Sequence, residues 1–285
     1  MSKNTLFNKQ TLISCKGRLL SLSRPVVMGI LNVTPDSFYT QGRRSSLQQV
    51  VEHAGQMLEQ GATLLDVGGM STRPGAAEVS PAEETDRVTP VIEALAAAFP
   101  EAFISVDTFR AAVAETAVQA GAHIVNDISF GDMDPMMMTT VARLGAAYIG
   151  MHMQGTPQTM QQNPVYHHII TDIADYFAQK IATFTEAGVK DIILDPGFGF
   201  GKTIAHNYAL LDGMDQFAML GKPVLAGLSR KSMIYRTLDI TADEALNGTT
   251  VLNTIALQRG ASILRVHDVK EAMQAIRLTE VLQNR

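Results

Sequence analysis

The sequence predicts an α/β protein folded as a single-domain (β/α)8 (TIM) barrel, for two reasons. Eight short apolar runs, rich in Val and Ile, show no polar alternation, and this pattern is typical of buried parallel strands. Helix signals fall between successive runs, as such a barrel requires. A barrel of this kind needs about 250 residues, and the chain has 285. The runs span residues 26–31, 64–65, 103–106, 124–125, 148–151, 192–194, 224–228 and 263–264.

Each of the eight runs ends at a residue that can bind a ligand or ionise. The carboxyl ends of barrel strands meet on one face, and the active sites of such barrels lie there. The sequence therefore predicts an enzyme before any motif is considered. The strand-end residues are, in chain order, Asn32, Asp66, Asp107, Asn126, His152, Asp195, Ser229 with Arg230 and Lys231, and Arg265 with His267.

Helix signals support this order of elements. Ser80, Pro81 and Glu83 provide the N-cap, the first-turn proline and the third-position acid of a helix that should reach about Phe99. One long helix is expected to present an apolar face made of Ile169, Ile173, Phe177, Ile181 and Phe184. Further helix starts are predicted at Ser45, with Gln48 completing a capping box, at Thr241 and at Asp268.

Residues 1–24 read as an extension that precedes the first barrel strand. Two apolar pairs at 12–13 and 19–20 flank Lys16-Gly17, so we expect a hairpin that closes the far end of the barrel. The predicted division is therefore an N-terminal extension at residues 1–24 and a catalytic barrel at residues 25–285.

Composition narrows the classes of function. The chain is 46% hydrophobic and 18% charged, which provides a core and gives no case for disorder. A formal net charge of −5 offers no electrostatic footprint for nucleic acid. No apolar run approaches membrane-spanning length. Cys15, the only cysteine, allows no disulfide within the chain and is in the wrong place for a nucleophile. We therefore expect a cytoplasmic enzyme without nucleic-acid or membrane partners.

Residues 196–203 approach a phosphate-binding loop but do not complete one. Gly-Lys-Thr at 201–203 matches the end of a Walker A motif, whereas Pro196 replaces its first glycine and removes a backbone donor. A dinucleotide fingerprint fails as well, because Lys202 occupies the place of the third glycine. We interpret these glycines as allowing the backbone to approach a flat ligand, with Phe200 at its edge.

Eight motifs, each following a predicted strand, together resemble the dihydropteroate synthase family of folate biosynthesis. The similarity runs from about Pro25 to the C-terminus. The motifs are Asn-Val-Thr-Pro-Asp-Ser-Phe at 32–38, Ser-Thr-Arg-Pro-Gly at 71–75, Ser-Val-Asp-Thr at 105–108, Asn-Asp-Ile at 126–128, Met-His-Met-Gln-Gly at 151–155, Asp-Pro-Gly-Phe-Gly-Phe-Gly-Lys at 195–202, Ser-Arg-Lys-Ser at 229–232 and Arg-Val-His-Asp at 265–268.

The resemblance implies a transferase that joins 6-hydroxymethyl-7,8-dihydropterin diphosphate to 4-aminobenzoate and releases pyrophosphate. It implies Mg2+ as cofactor, with Asn32 as its ligand, sulfonamides as competitive ligands, and a homodimer. The implied pterin-binding residues are Asp107, Asn126, Ile128, Met151, Asp195, Phe200 and Lys231. Those for the diphosphate are Asn32, Thr72, Arg73, Arg265, Val266 and His267. Those for 4-aminobenzoate are Phe38, Thr72, Arg73, Pro74, Phe200, Lys231 and Ser232. The implied catalytic residues are Asp36, Thr72, Arg73, Asp107, Lys231, Arg265 and His267.

The expected chemistry accounts for these residue types. Dihydropterin has a donor-rich edge that carboxylates and amides can bind, and a diphosphate requires cations. Arg265 and His267 lie two residues apart on one strand, so their side chains share a face. The nucleophile is a neutral aromatic amine, which favours early, SN1-like departure of pyrophosphate without a covalent enzyme intermediate.

Two departures from the family pattern lie in the loops after the first two strands. Met70 stands where the family usually has glutamate, and Tyr-Thr-Gln at 39–41 replaces the usual Ser-Asp-Gly. Each departure loses an acid. The alternatives are a pterin-binding barrel with altered or lost turnover, or one that transfers a methyl group. The second would be expected to lack the motifs at 229–232 and 265–267, which are present.

Overall fold

The computed structural model describes residues 9–33, 43–70, 79–160 and 164–283, with only the backbone at 43–45 and 283. Eight parallel strands form a nearly closed barrel, which confirms the predicted fold. A short antiparallel hairpin, β1 (Leu12–Cys15) and β2 (Arg18–Ser21), precedes it. The barrel strands are β3 (Val26–Asn32), β4 (Leu64–Gly68), β5 (Phe103–Asp107), β6 (Ile124–Asp127), β7 (Ala147–Met151), β8 (Ile192–Asp195), β9 (Leu225–Ala226) and β10 (Ile263–Val266).

Helices cover the outside of the barrel, and a helix follows every strand of the barrel. None of the helices in the described ranges is both long and apolar enough to cross a membrane. The helices are α1 (Arg43–Glu59), α2 (Pro81–Ala98), α3 (Ala111–Ala120), α4 (Met137–Leu144), α5 (Ile169–Glu186), α6 (Ile204–Asp212), a 3-10 helix (Met214–Leu220), α7 (Ser232–Leu238), α8 (Leu246–Gln258) and α9 (Val269–Gln283).

Strand register determines which side chains enter the barrel. Side chains alternate between the two faces of a strand. In β4, Leu65 and Val67 pack outward against the helices, whereas Leu64 packs inside the barrel with the hairpin. Asp66 therefore points into the barrel as well. The carboxyl ends are aligned, since Asn32 pairs with Gly68, Gly68 with Asp107 and Asp107 with Asn126. These aligned ends form the polar face of the barrel.

The hairpin closes the opposite end of the barrel, as predicted. Lys16 and Gly17 both have positive φ, 50° and 84°, which is the turn geometry that suits a two-residue hairpin. Ile13, Cys15 and Leu20 are buried against the lowest layer of barrel side chains. Burial raises the pKa of the Cys15 thiol to about 12, so it stays protonated. The only cysteine thus lies far from the polar face.

Helix starts were predicted with mixed success. Ser80 is the N-cap of α2, and its side chain accepts a hydrogen bond from the backbone N–H of Glu83, as expected. The start at Thr241 was wrong, because α8 begins at Leu246. The carboxylate of Glu244 accepts hydrogen bonds from the backbone and hydroxyl of Thr241, and this pair closes a turn before the helix.

One strand is shorter than predicted. The predicted strand at 224–228 is only two residues long, although Val224 also bridges to Leu194 and brings the barrel close to closure. The chain turns soon after β9, where Arg230 has a positive φ of 53°. His168 is the N-cap of α5, where its ring accepts a hydrogen bond from the Thr171 backbone.

Candidate active site

A buried charge network crosses the polar face of the barrel. Arg265 on β10 donates from Nε to Asp66 Oδ2 on β4 and from Nη2 to Asp107 Oδ2 on β5, both at 2.6 Å. Burial lowers the pKa of Arg265, but the two carboxylates outweigh that effect and raise it overall. Burial raises the pKa of Asp107 to about 7, with Arg265 opposing the shift and Asp66 adding to it. Arg265 therefore stays charged while Asp107 titrates near neutrality.

Asn126 on β6 joins this network through its side-chain amide. Its Nδ2 donates to Asp66 Oδ2 at 2.9 Å. Asp66 is fully buried, and Asn126 is 4% exposed. The sequence predicted Asn126 and Asp107 as pterin-binding residues and gave Asp66 only a strand-end position. In the structure, Asp66 accepts hydrogen bonds from Asn126 and Arg265, and Arg265 connects it to Asp107.

Asp195 ends β8 and holds the start of the following loop. Its Oδ1 accepts a hydrogen bond from the Gly197 backbone N–H at 2.8 Å. Burial raises the pKa of Asp195, and the positive charges of Lys231 and Arg265 act in the opposite direction. Asp195, Asp107, Lys231 and Arg265 thus share one electrostatic basin, although they come from four different strands or strand ends.

Lys231 lies at the rim of this basin, immediately before α7. Its Nζ donates to the backbone carbonyl of Phe198 and lies 4.9 Å from the centre of the Phe200 ring. Burial lowers the pKa of Lys231 to about 8, against the attraction of Asp195. Ser232 follows as the first residue of α7 and is half-buried. The predicted grouping of Phe200, Lys231 and Ser232 is consistent with these positions.

Apolar side chains line the neighbouring strand ends. Met151 and Ile128 are 2% and 5% exposed, at the ends of β7 and β6, whereas Phe200 is only half-buried. Two glycines of the loop after β8 have a packing role that the sequence did not predict. A Cβ at Gly197 would lie 2.0 Å from the carbonyl oxygen of His152, and one at Gly201 would lie 2.7 Å from that of Gln154. These glycines let the loop pack against the chain after β7.

Lys202 secures that packing and is a residue that sequence reasoning missed. Its buried Nζ donates to the carbonyl oxygens of His152, Gly197 and Phe200 at 3.0–3.2 Å and lies 3.1 Å from His152 Nδ1. Burial lowers the pKa of Lys202 to about 7, and burial with the nearby lysine lowers that of His152 to about 2. The ammonium is therefore engaged by backbone carbonyls, and the rejection of a phosphate loop is consistent with this geometry.

The end of β10 and the loop after β9 meet through a serine–histidine contact. Ser229 Oγ lies 2.9 Å from His267 Nδ1 and accepts a hydrogen bond from the His267 backbone. His267 is exposed, as a group that meets an incoming diphosphate would need to be. Val266 points into the outer core, so only its backbone could contact a ligand on this face. Arg230 pairs instead with Asp268 and joins this loop to α9.

Asn32 supplies an oxygen donor at the mouth of the barrel. A Cβ at Gly68 would lie 3.8 Å from Asn32 Oδ1 and 3.7 Å from Asp107 Oδ2, so both oxygens lie beside Gly68 at the ends of neighbouring strands. Oxygen donors of this kind suit Mg2+, which commonly keeps substrate phosphates and water as its other ligands. Within the described ranges no cluster of three or more His, Cys, Asp or Glu side chains could hold a metal by itself. The residues present fit a Mg2+ ion that arrives with a diphosphate.

The remaining predicted site residues lie outside the described residues. They belong to the loops after β3 and β4, as does the Tyr-Thr-Gln departure at 39–41. Met70, the other departure, lies at the root of the second loop beside Gly69, whose carbonyl accepts a hydrogen bond from Arg87. The residues concerned are Asp36, Phe38, Thr72, Arg73 and Pro74.

Comparison with known proteins shows the family to which the chain belongs. The family model described as pterin binding enzyme matches residues 28–267, which include every strand-end residue named above. The chain belongs to the pterin-binding enzyme family. The dihydropteroate synthase of Escherichia coli (strain K12) is 48% identical over 267 residues, covering 93% of this chain and 94% of the relative. The chain is thus related to transferases along nearly its whole length.

Solved structures agree with the sequence relatives. A Yersinia pestis dihydropteroate synthase in a sulfonamide drug complex superposes with a TM-score of 0.90 at 46% identity, covering 96% of this chain and all of that one. A Xanthomonas albilineans dihydropteroate synthase with 4-aminobenzoic acid gives a TM-score of 0.89 at 39% identity, covering 96% and 99%. These relatives support dihydropteroate synthase activity for the chain and favour it over the methyl-transfer alternative.

The Asp195→Asn substitution should weaken pterin binding by about 2–4 kcal/mol. The Gly197 N–H will hold the amide oxygen of the new side chain, so its NH2 group will face the donor-rich ring edge. Isothermal calorimetry with the dihydropterin measures the effect. Asp191→Asn, just before β8 at the far end of the barrel and bonded to Gln10, is the matched control. Affinity of the Asp195 variant within about threefold of the unmodified protein would show that Asp195 is structural.

The Lys202→Met substitution should lower the free energy of unfolding by about 3 kcal/mol, because it removes the donor shared by three carbonyl groups, two of them in buried hydrogen bonds. It should also weaken pterin binding, since the loop that carries Phe200 loses its attachment to the chain after β7. Urea denaturation measures the first effect. Lys190→Met, at an exposed lysine, is the control. Equal stability of both variants would contradict the anchoring role of Lys202.

Proposed function

We propose that the protein condenses 6-hydroxymethyl-7,8-dihydropterin diphosphate with 4-aminobenzoate to give 7,8-dihydropteroate and pyrophosphate. The observation that carries the proposal is the convergence of Asp107, Asn126, Asp195, Lys231 and Arg265 in one basin at the strand ends. Carboxylate and amide oxygens at the bottom of the basin suit the donor-rich edge of a pterin, and the cations at its rim suit an anionic leaving group.

Pterin recognition would rest on groups that the structure holds in place. Asp195 Oδ1 is engaged by Gly197, which leaves Oδ2 as an acceptor for the ring. Lys231 would donate to the opposite polar edge of the ring. Met151 and Phe200, which the resemblance implies as pterin-binding residues, would contact its faces. A bidentate contact between a carboxylate and such an edge contributes about 1–3 kcal/mol to discrimination, by analogy with base recognition.

The diphosphate would be held by the residues at the ends of β3 and β10. In Arg265, Nη1 makes no hydrogen bond within the described part of the chain, and it can donate to a phosphate oxygen while Nε and Nη2 remain on the carboxylates. His267 lies alongside, exposed and positioned by Ser229. Asn32 would be the protein ligand of Mg2+, which when bound neutralises charge on the diphosphate.

The reaction would proceed by early loss of pyrophosphate. The bond between the methylene carbon and the diphosphate oxygen breaks, and the electron pair leaves with pyrophosphate. The resulting cation is delocalised into the pterin ring, where the carboxylates of Asp107 and Asp195 stabilise it. The amine nitrogen of 4-aminobenzoate then forms the new C–N bond and loses a proton. Arg265 and His267 stabilise the departing charge, and no covalent bond to the enzyme is needed.

The second substrate would approach over Phe200, Lys231 and Ser232. These residues form the rim nearest α7, and Lys231 offers a positive charge close to an aromatic ring. The relatives solved with a sulfonamide drug and with 4-aminobenzoic acid support ligands of this size and chemistry. We therefore propose that sulfonamides compete with 4-aminobenzoate in this protein.

A pyrophosphate-release assay tests the proposed reaction. The purified protein with both substrates and Mg2+ should release pyrophosphate and form dihydropteroate, and chelation of the metal should abolish both. Release of pyrophosphate only when 4-aminobenzoate is present would exclude departure of the leaving group before the amine binds. Absence of dihydropteroate under all of these conditions would overturn the proposed function.

The pH dependence of kcat/KM provides a second readout of the same reaction. Asp107 loses its negative charge as the pH falls through about 7, and Lys231 loses its positive charge as the pH rises through about 8. The profile should therefore be bell-shaped with limbs near these values. Asp107→Asn should remove the acidic limb. If the acidic limb is unchanged in that variant, it arises from titration of the substrate diphosphate and not of Asp107.

We also propose that two copies of the chain associate through α8 and α9. Leu278, Val281 and Leu282 lie on one face of α9 and are 60–70% exposed, and Val251 on the adjoining α8 is 49% exposed. Contiguous exposed apolar residues are typical of an interaction surface. Light scattering at micromolar concentration should give the mass of a dimer, and Leu278→Glu should give a monomer. Leu19→Glu, at an exposed leucine of the hairpin, should leave the mass unchanged. A monomeric unmodified protein would refute this assembly.

A further inference from the structure

We propose that Asp66 is a positioning residue for pterin recognition, whose buried carboxylate orients the amide of Asn126 and the guanidinium of Arg265. The inference rests on the proposed function and deepens it, because Asp66 itself is placed beneath the ring rather than against it. Three groups that the proposed function uses are connected to Asp66. Asn126 and Arg265 each donate a hydrogen bond to it, and Arg265 connects it to Asp107.

Strand register places Asp66 two residues deeper in the barrel than Asp107 and Asn126, the residues proposed to contact the ligand. Asp66 pairs with Ser105, whereas Asn126 pairs with Asp107, two residues nearer the carboxyl end of β5. Two residues correspond to about 7 Å along a strand. Asp66 is fully buried at that depth, so a ligand held by Asp107 and Asn126 lies between it and solvent.

The contact with Asn126 determines which end of the amide the ligand meets. An ionised carboxylate only accepts hydrogen bonds, so the NH2 group of Asn126 must face Asp66. The amide oxygen is then directed away from Asp66, and it accepts no hydrogen bond from any described residue. It offers a fixed acceptor to a donor-rich ring. With Asp66 removed, the amide can rotate and present its NH2 group, which would oppose the donors of a pterin.

The contact with Arg265 determines the plane of the guanidinium. Nε and Nη2 form one side of the guanidinium fork, and each binds a different carboxylate. Two fixed acceptors on one side prevent rotation about the terminal bonds of the side chain, and they direct Nη1 to the opposite side. Asp107 alone would leave that rotation possible. Asp66 thus holds a cation that serves the diphosphate and an amide that serves the ring.

The burial of Asp66 itself argues against a purely structural role. Its Oδ1 and the Oγ of Ser105, on paired positions of neighbouring strands, are both buried and have no hydrogen-bond partner among the described residues. Such groups are costly and rare in folded proteins. A carboxylate that served only stability would have both oxygens bonded, whereas Asp66 directs its bonded oxygen to two residues of the site.

A double-mutant cycle tests this inference. The probe is 6-hydroxymethyl-7,8-dihydropterin without the diphosphate, and its dissociation constant is measured by calorimetry. Asp66→Ala should weaken binding about 30-fold, because a mismatched amide then faces the ring. Asp66→Asn should weaken it by no more than about fivefold, because the amide oxygen can still accept from Asn126 and Arg265. Ser105→Ala, the buried neighbour without a bonded hydroxyl, should leave the affinity unchanged.

The decisive comparison uses Asn126→Ala as the background. If Asp66 acts through the Asn126 amide, adding Asp66→Ala to Asn126→Ala should weaken binding by less than about threefold. Additive losses would overturn the inference, as would equal affinities of the unmodified protein and Asp66→Ala. Asp66→Leu retains the side-chain volume and is the second variant. If neither Asp66→Ala nor Asp66→Leu folds, judged by thermal unfolding, the role is structural and the inference fails.

The same experiment separates this inference from the proposed function. An unmodified protein that does not bind the dihydropterin would overturn both. An unmodified protein that binds it, with Asp66 variants that bind equally well, would overturn the inference alone. Retained binding by Asp66→Asn together with loss in Asp66→Ala would support the role of the acceptor oxygen rather than that of the charge.

Discussion

The pairing of Arg265 with Asp66 and Asp107 is the interaction on which the rest of the site depends. Parallel strands in register bring the acids of several strands into one buried basin, where like charges repel and burial penalises each of them. One guanidinium with fixed geometry joins two of these acids. Burial still raises the pKa of Asp107 to about 7, and it lowers the pKa of Lys231 to about 8. Groups of this kind change charge near pH 7, which suits catalysis.

A second constraint is that the loop after β8 must be held rigidly. Two lysines bind this loop through backbone carbonyl groups. Lys202 donates to carbonyl groups on both sides of the contact between the loop and the chain after β7, and Lys231 donates to the Phe198 carbonyl. Glycines at 197 and 201 permit the close approach, because any side chain there would collide with backbone. The rim that carries Phe200 is thereby fixed before a ligand arrives, which lowers the entropic cost of binding.

Sequence patterns predicted the elements better than the contacts between them. The strands and their terminal groups follow from short apolar runs, and the hairpin follows from Lys16-Gly17 between apolar pairs. The roles of Asp66 and Lys202 were missed because Asp66 binds residues 60 and 199 positions away, and Lys202 connects its own loop to His152, 50 positions away. No local pattern encodes such contacts. The start at Thr241 failed for a local reason, since the Thr241–Glu244 pair that begins many helices also closes a turn.

One end of the barrel is closed by apolar packing, and the other carries the polar groups of the candidate site. At the lower end, the hairpin covers an apolar layer made of Met28, Leu64, Phe103 and their neighbours. Asp66 lies directly above that layer, so its charge network has apolar side chains beneath it. Electrostatic interactions strengthen in such surroundings. In the proposed mechanism, a cationic intermediate would therefore be stabilised by the carboxylates and would have this apolar layer on its inner side.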